Sequence, residues 1–201
     1  MKKTILLAAA LLILFSLANA QDRKDTIKVK KDTMKVKTEQ PVKNSAMKLQ
    51  IPGSLQAEHK ELHATLEKFT LLEGKTGAAA RETARLLDPH FTKEEEYAMP
   101  QLGLLPALAE GKALDDTTEA IVKSEALKRD YDQMVAEHKQ ILASLERLDA
   151  AARDEKHPEV TRFTDALKMH AKNEEEVLYP AAILVGEYLK IRHAAVNHKM
   201  R

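Results

Sequence analysis

The chain of 201 residues is 44% apolar and 31% charged, with basic and acidic residues nearly balanced at a formal net charge of +1. That balance excludes the strongly basic surface of a nucleic-acid-binding protein, and the absence of cysteine excludes disulfides, iron–sulfur ligation and thiolate zinc sites. Any chemistry the chain performs rests on histidine, carboxylate and hydroxyl groups.

Residues 1–20, MKKTILLAAALLILFSLANA, open on Lys2 and Lys3, continue as an apolar run and close on Ala18-Asn19-Ala20, the small-x-small pattern of a signal-peptidase site. The run is shorter than the ~20 apolar residues that a membrane span needs. The stretch therefore reads as an export leader cut before Gln21, leaving no membrane span in the mature chain. Export of this kind, without a twin arginine, carries the chain across unfolded, so the expected location is periplasmic or secreted, with any metal acquired there. Residues 21–50 are polar and lysine-rich, with DTIKVK and DTMKVK recurring within 25–37, and read as a disordered basic tether.

From Ile51 the apolar spacing is helical and no alternating segment bounded by turns occurs, which predicts an all-α domain over 51–192 and a short tail over 193–201. A first helix starts after Pro52-Gly53 with Ser54 as its N-cap and runs to about Glu73, where Gly74 takes the left-handed position. A second covers about 77–99, kinked near Pro89 and ended by Met99-Pro100. Residues 101–115 connect it to a third helix over about 116–153. A fourth enters at Pro158, bends at Pro180 and extends toward Lys190.

The two halves of this domain repeat. AEHKELHATLEKF at 57–69 matches AEHKQILASLERL at 136–148, and HFTKEEEYAMP at 90–100 matches HAKNEEEVLYP at 170–180. The repeat predicts an antiparallel up-down four-helix bundle with an internal two-fold pseudo-repeat. Positions i and i+4 of a helix share one face, about 6 Å apart along the axis. His90 with Glu94 and His170 with Glu174 therefore point at one interior volume, and His59 and His138 add a histidine from each remaining helix. Burying four imidazoles and two carboxylates without partners costs several kcal/mol, a cost that metal coordination removes. Imidazole and carboxylate without thiolate suit iron, or manganese or zinc, and two glutamates able to bridge point to a pair of ions. Neither His-Glu-x-x-His nor Glu-x-x-His occurs, which argues against a zincin or a ferritin-like site. The other glutamates of the two triplets, Glu95, Glu96, Glu175 and Glu176, read as a solvated face. His157, His193 and His198 read as histidines at a helix entrance or in the tail.

This pattern resembles the hemerythrin family, the HHE cation-binding domain. The family places histidine on the first helix, His-x-x-x-Glu on the second, histidine on the third and His-x-x-x-Glu on the fourth, matching His59, His90/Glu94, His138 and His170/Glu174. The resemblance covers about 51–190, and HFTKEE is especially close to the second-helix signature. It implies two non-haem iron ions bridged by Glu94 and Glu174, with O2 or another small diatomic or peroxide ligand as partner. One residue departs from the pattern. Oxygen-carrying members have a second histidine one turn after the third-helix ligand, where this chain has Leu142, while the equivalent place on the first helix holds His63. If the halves exchange roles, His63 is the fifth histidine, one ion taking His59, His63 and His90 and the other His138 and His170. Five histidines, two bridging carboxylates and a bridging hydroxide leave one coordination place open, which suits reversible O2 binding; without His63, two are open and peroxide or nitric oxide chemistry becomes easier. The expected function is an exported di-iron protein for binding, sensing or protection. Its alternatives are a di-iron peroxidase or oxidase, a nitric-oxide-handling enzyme, or a metal-sequestering protein. Tyr97 and Tyr131, each two turns from a ligand histidine, read as ordinary core residues, with hydrogen bonding to a metal-bound ligand as the alternative.

Overall fold

The computed structural model describes residues 49–199, apart from the side chains of residues 196, 197 and 199. The leader expected over 1–20, and all but the last two residues of the tether expected over 21–50, lie outside the described residues. Six α-helices occur among the described residues, with no strand: α1 Gly53–Thr70, α2 Gly74–Lys93, α3 Leu105–Ala109, α4 Thr118–Glu155, α5 Pro158–Asn173 and α6 Tyr179–Lys199. A five-residue π turn, Glu94–Ala98, continues α2 into the 3-10 turn Pro100–Leu104, and a second π turn, Glu174–Leu178, joins α5 to α6. None of the described helices is long and apolar enough to cross a membrane.

The rods of the bundle are α1, α2 with its π turn, α4, and α5 continued through its π turn into α6. α2 and α4 pack along each other, α1 lies on α2 and α5, and α4 packs on both parts of the fourth rod. Connections of two or three residues join α1 to α2 and α4 to α5, which makes each pair antiparallel. Three apolar clusters of buried residues occur among the described residues, and the two larger ones flank the centre of the bundle. Leu62, Leu66, Leu87, Ile141, Leu145 and Leu148 belong to one, and Leu102, Leu127, Met134, Tyr179 and Ala182 to the other. His138 stands between Met134 and Ile141, one from each cluster, so the histidine level separates them.

Local chemistry accounts for the helix ends. α1 begins one residue before the expected cap: Pro52 flanks it, no side chain caps it, and Ser54 sits inside the first turn. Gly74 does adopt the left-handed conformation, at φ 72°, but as the first residue of α2 rather than the end of α1. The orphan amides at the start of α2 are satisfied across the bundle by Glu155, whose carboxylate accepts from Lys75 N at 2.8 Å, Thr76 N at 2.9 Å and Thr76 Oγ1 at 2.6 Å. α6 continues to Lys199, past the expected end near Lys190 and through the positions expected as a tail. Leu49 packs against the cluster of Leu104, Ala120, Val185 and Leu189, so the packed part of the chain includes the last residues assigned to the tether.

The break in helical register falls one turn after Pro89, in the π turn, and its counterpart falls just before Pro180. Pro100 and Pro180 follow Glu94 and Glu174 at the same spacing, and a proline has no amide to continue an α-helical ladder. The widened turn absorbs this: the Met99 amide bonds the Glu94 carbonyl at 2.9 Å, five residues back, and the Tyr179 amide bonds Glu174 in the same way. Each π turn begins on the glutamate that the repeat singles out.

Its hydrogen bonds to Thr76 and Lys75 hold the Glu155 carboxyl down at about 2, against an ordinary 4.5. A carboxyl depressed in the folded state contributes stability above its unfolded pKa and loses it as pH falls through the folded value. Glu155→Gln is therefore expected to lower the unfolding temperature at pH 7, with the gap from the natural chain closing between about pH 4.5 and pH 2. Thermal melts at a series of pH values check this; a gap that persists unchanged at pH 2 would exclude the carboxylate as the cap.

Candidate metal centre

The four rods bring His59, His90, His138 and His170 together with Glu94 and Glu174 at the level between the apolar clusters. None of these six side chains is more than 4% exposed, and both glutamates are fully enclosed. Their inward atoms form two sets that share both carboxylates: His59, His170, Glu94 and Glu174 in one, and His90, His138, Glu94 and Glu174 in the other. Within each set the donor atoms lie within 4.8 Å of one another. In the first, His170 Nε2 is 3.0 Å and His59 Nε2 3.5 Å from Glu174 Oε1, with His59 Nε2 3.6 Å from Glu94 Oε2. In the second, His90 Nε2 is 3.3 Å from Glu94 Oε1 and His138 Nε2 is 3.4 Å from Glu174 Oε2.

Behind each imidazole stands another carboxylate. His90 Nδ1 lies 2.9 Å from Glu137, His138 Nδ1 2.8 Å from Glu175 and His170 Nδ1 3.1 Å from Glu58. The fourth contact, His59 Nδ1 to Glu95, is longer at 3.4 Å and falls short of a hydrogen bond. An ionised carboxylate can only accept, so the bonded Nδ1 atoms of His90, His138 and His170 carry a proton, and in the neutral rings the Nε2 lone pair is the one left for a metal at the centre. The arrangement follows the pseudo-twofold. The glutamate before the histidine of α1 or α4 bonds a histidine of the opposite half, and the glutamate after each bridging candidate faces the histidine of α1 or α4, bonded in the case of α4 alone. Glu137 is itself held by Lys93 and by Gln133 at 2.9 Å, and these bonds outweigh burial to hold its carboxyl at about 2.

The centre demands positive charge. Burial pushes the imidazoles of His90 and His170 down, but the neighbouring Glu94, Glu137 and Glu174 outweigh it; His90 is raised and His170 reaches about 9. Burial and the charge of Glu174 raise Glu94, whereas for Glu174 burial is outweighed by the close imidazoles of His138, His170 and His59, which carry it well below the usual range. Glu94 Oε2, Glu174 Oε2 and His170 Nε2 are buried without a hydrogen-bond partner, although groups of this kind are rarely left orphaned. Lone-pair donors from four imidazoles, two shared carboxylates and three unpaired inward atoms fit a pair of divalent or trivalent cations of the iron, manganese or zinc type.

Six of the seven residues expected at the site converge; His63 does not join them. It lies one turn outward on α1, half-exposed, with Nε2 3.3 Å from Asp88 Oδ1. A helix advances by about 5.4 Å per turn, which carries His63 away from the level the other six occupy. The pairing of histidines also differs from the expected one: His59 goes with His170 and His90 with His138, so each set draws one histidine from each half of the repeat. Tyr97 donates to Met134 Sδ at 3.4 Å, and Tyr131 meets Tyr179 edge-on. The tyrosine that reaches the centre is Tyr179, bonded to Glu94 and stacked on His138. Burial, with the charges of Glu94 and Glu174, raises its phenol far above the usual range. Glu95 and Glu175, read from sequence as a solvated face, take the supporting positions described above, as do Glu58 and Glu137. His157 pairs with Glu159 and His193 with Thr117, both away from the centre.

The sequence profile of the hemerythrin HHE cation binding domain matches residues 51–182 and, in a second overlapping match, residues 129–199. Comparison with curated proteins and with solved structures gives no match.

Removing a carboxylate behind a ligand histidine typically weakens metal binding by about 10–100-fold. Glu137→Gln keeps the size of the side chain but removes the charge that fixes the His90 tautomer, and a loss of that order is expected in competition with a chelator. Glu146→Gln, on the exposed face of α4, is expected to leave affinity unchanged. Equal affinities for the two variants would show that Glu137 does not orient His90.

Proposed function

The chain belongs to the hemerythrin HHE cation-binding family, and from that membership and its six converging donors we propose that it holds a pair of non-haem iron ions and binds O2 or a related small ligand. Manganese and zinc are the alternatives for the same donor set. His59 and His170 would hold one ion, His90 and His138 the other, with Glu94 and Glu174 shared between them. The observation that carries the reading is the sharing itself: both enclosed carboxylates present oxygens to both histidine pairs, as a two-ion site requires. When bound, such a pair supplies reversible one-electron exchange at each ion and a place for a small exogenous ligand. The protein's part is to keep each Nε2 aimed inward, to hold Glu174 ionised and to exclude bulk water by the apolar clusters on either side.

His63 has no place in this ligand set. Half-exposed and paired with Asp88, it borders an open groove of about 540 Å³ that also touches His59 and Phe91. The leader pattern of residues 1–20 supports export, so the proposed setting is outside the cytoplasm, with iron loaded after translocation.

Two measurements test the proposal. Anaerobic loading of the chain with ferrous iron, followed by air, is expected to produce a visible charge-transfer band that fades on deoxygenation and returns on re-exposure. Irreversible bleaching with turnover of added peroxide would replace the binding reading by an enzymatic one. His63→Leu is expected to retain both ions and the same spectrum, whereas His90→Ala sharply lowers the iron bound; loss of an ion in His63→Leu would return His63 to the ligand set.

A further inference from the structure

The two donor sets are not equivalent, because one of them faces a phenol. Tyr179 is 1% exposed, and its hydroxyl donates to Glu94 Oε1 while lying 3.5 Å from His90 Nε2 and 3.4 Å from His138 Nε2. The ring lies parallel to that of His138, at 5.7 Å between centroids and 11° between planes, which fixes the hydroxyl at this depth. Three of the four donors of the second set are thus within hydrogen-bonding range of one oxygen. The two histidine separations are the ones adjacent ligands show around a single ion with bonds of about 2.0–2.2 Å, while the Glu94 carboxylate is the acceptor of the phenol proton in the metal-free protein. From this placement we infer that Tyr179 is itself a ligand, coordinating through its phenol oxygen the ion held by His90 and His138. The inference rests on the two-ion reading above and adds a donor to it.

The pseudo-symmetry sharpens the point. Residue Met99 occupies the position on the second rod that Tyr179 occupies on the fourth, five residues after its glutamate. A thioether is a soft donor suited to ions unlike those that imidazole and carboxylate select, so the set of His59 and His170 gains no matching oxygen. In the coordination count, Tyr179 takes the place that a fifth histidine would have filled. The open position then falls on the ion of His59 and His170, the side on which the groove beside His59 lies. Binding breaks the phenol O–H bond, forms an oxygen–metal bond and releases the proton to solvent, with no change of oxidation state. In the metal-free protein the enclosed phenol stays protonated, because burial and two carboxylates oppose its charge.

The test uses a redox-silent ion and does not depend on activity. Titration of the metal-free chain with zinc at neutral pH, followed by ultraviolet difference absorption, is expected to reveal one phenolate per chain as the ions bind. Tyr179→Phe keeps the ring and is expected to abolish that signal while still binding metal through the four histidines and two glutamates; Tyr131→Phe is expected to retain it. In the ferric form, the phenolate-to-iron band in the visible should be present in the natural chain and absent from Tyr179→Phe. If Tyr179→Phe does not fold, the same titration of the Tyr97, Tyr131 and Tyr188 phenylalanine variants assigns the phenolate by elimination, since the chain has four tyrosines. Two zinc ions bound without a phenolate, or a phenolate unaffected by Tyr179→Phe, would overturn the inference and leave the two-ion reading standing. Binding of no metal at all would overturn both.

Discussion

Two carboxylates, Glu94 and Glu174, lie at the middle of the bundle with no solvent exposure, and the rest of the centre is organised by what they require. Two negative charges brought this close in a low-dielectric interior are strongly unfavourable unless compensated. Without metal, the compensation comes from protons: His90 and His170 are held above their ordinary range, and Glu94 is raised while Glu174 stays ionised. Cations in the same volume would release those protons and use the oxygens that have no hydrogen-bond partner. The fold thus carries a localised demand for positive charge, and metal binding is the chemistry that meets it with the donors present.

The helices meet this demand by geometry repeated twice. A histidine one turn before each glutamate aligns two donors on one face, and the π turn that starts at each glutamate takes up the proline six residues later. Each set combines histidines from both halves of the chain, so neither half alone contains a complete site. The carboxylates behind the imidazoles extend the design outward. Glu58, Glu95, Glu137 and Glu175 are partly exposed, and they stand between the enclosed centre and the solvated surface, behind the histidine rings.

Much of this was legible in the sequence because it is periodic. Helical spacing and the matching of AEHK with AEHK, and of His-x-x-x-Glu with His-x-x-x-Glu, identified the bundle and six converging residues. The same repeat also contained Glu58, Glu137, Glu95 and Glu175, but a glutamate beside a ligand looks the same in sequence whether it faces water or the back of an imidazole. His63 failed for the opposite reason. Helical periodicity places it on the correct face but cannot say at which level the site is centred, and it stands one turn too far out. Tyr179 is hidden because it breaks the repeat, opposite Met99, and the widened π turn sets its direction, whereas Tyr97 and Tyr131 pack as the core residues their spacing suggests. Cross-chain caps such as Glu155 on α2 depend on the relative length of two rods, which no local pattern records.

The central claim is that one enclosed volume holds two ions, each between a histidine pair and shared carboxylates. Crystals of the chain grown with bound metal, with anomalous diffraction measured at the metal edge, address it directly. The account predicts two peaks about 3.5–4 Å apart, one against His59 and His170 and the other against His90 and His138, with Glu94 and Glu174 between them. A single peak, or peaks elsewhere such as between His63 and Asp88, would contradict it.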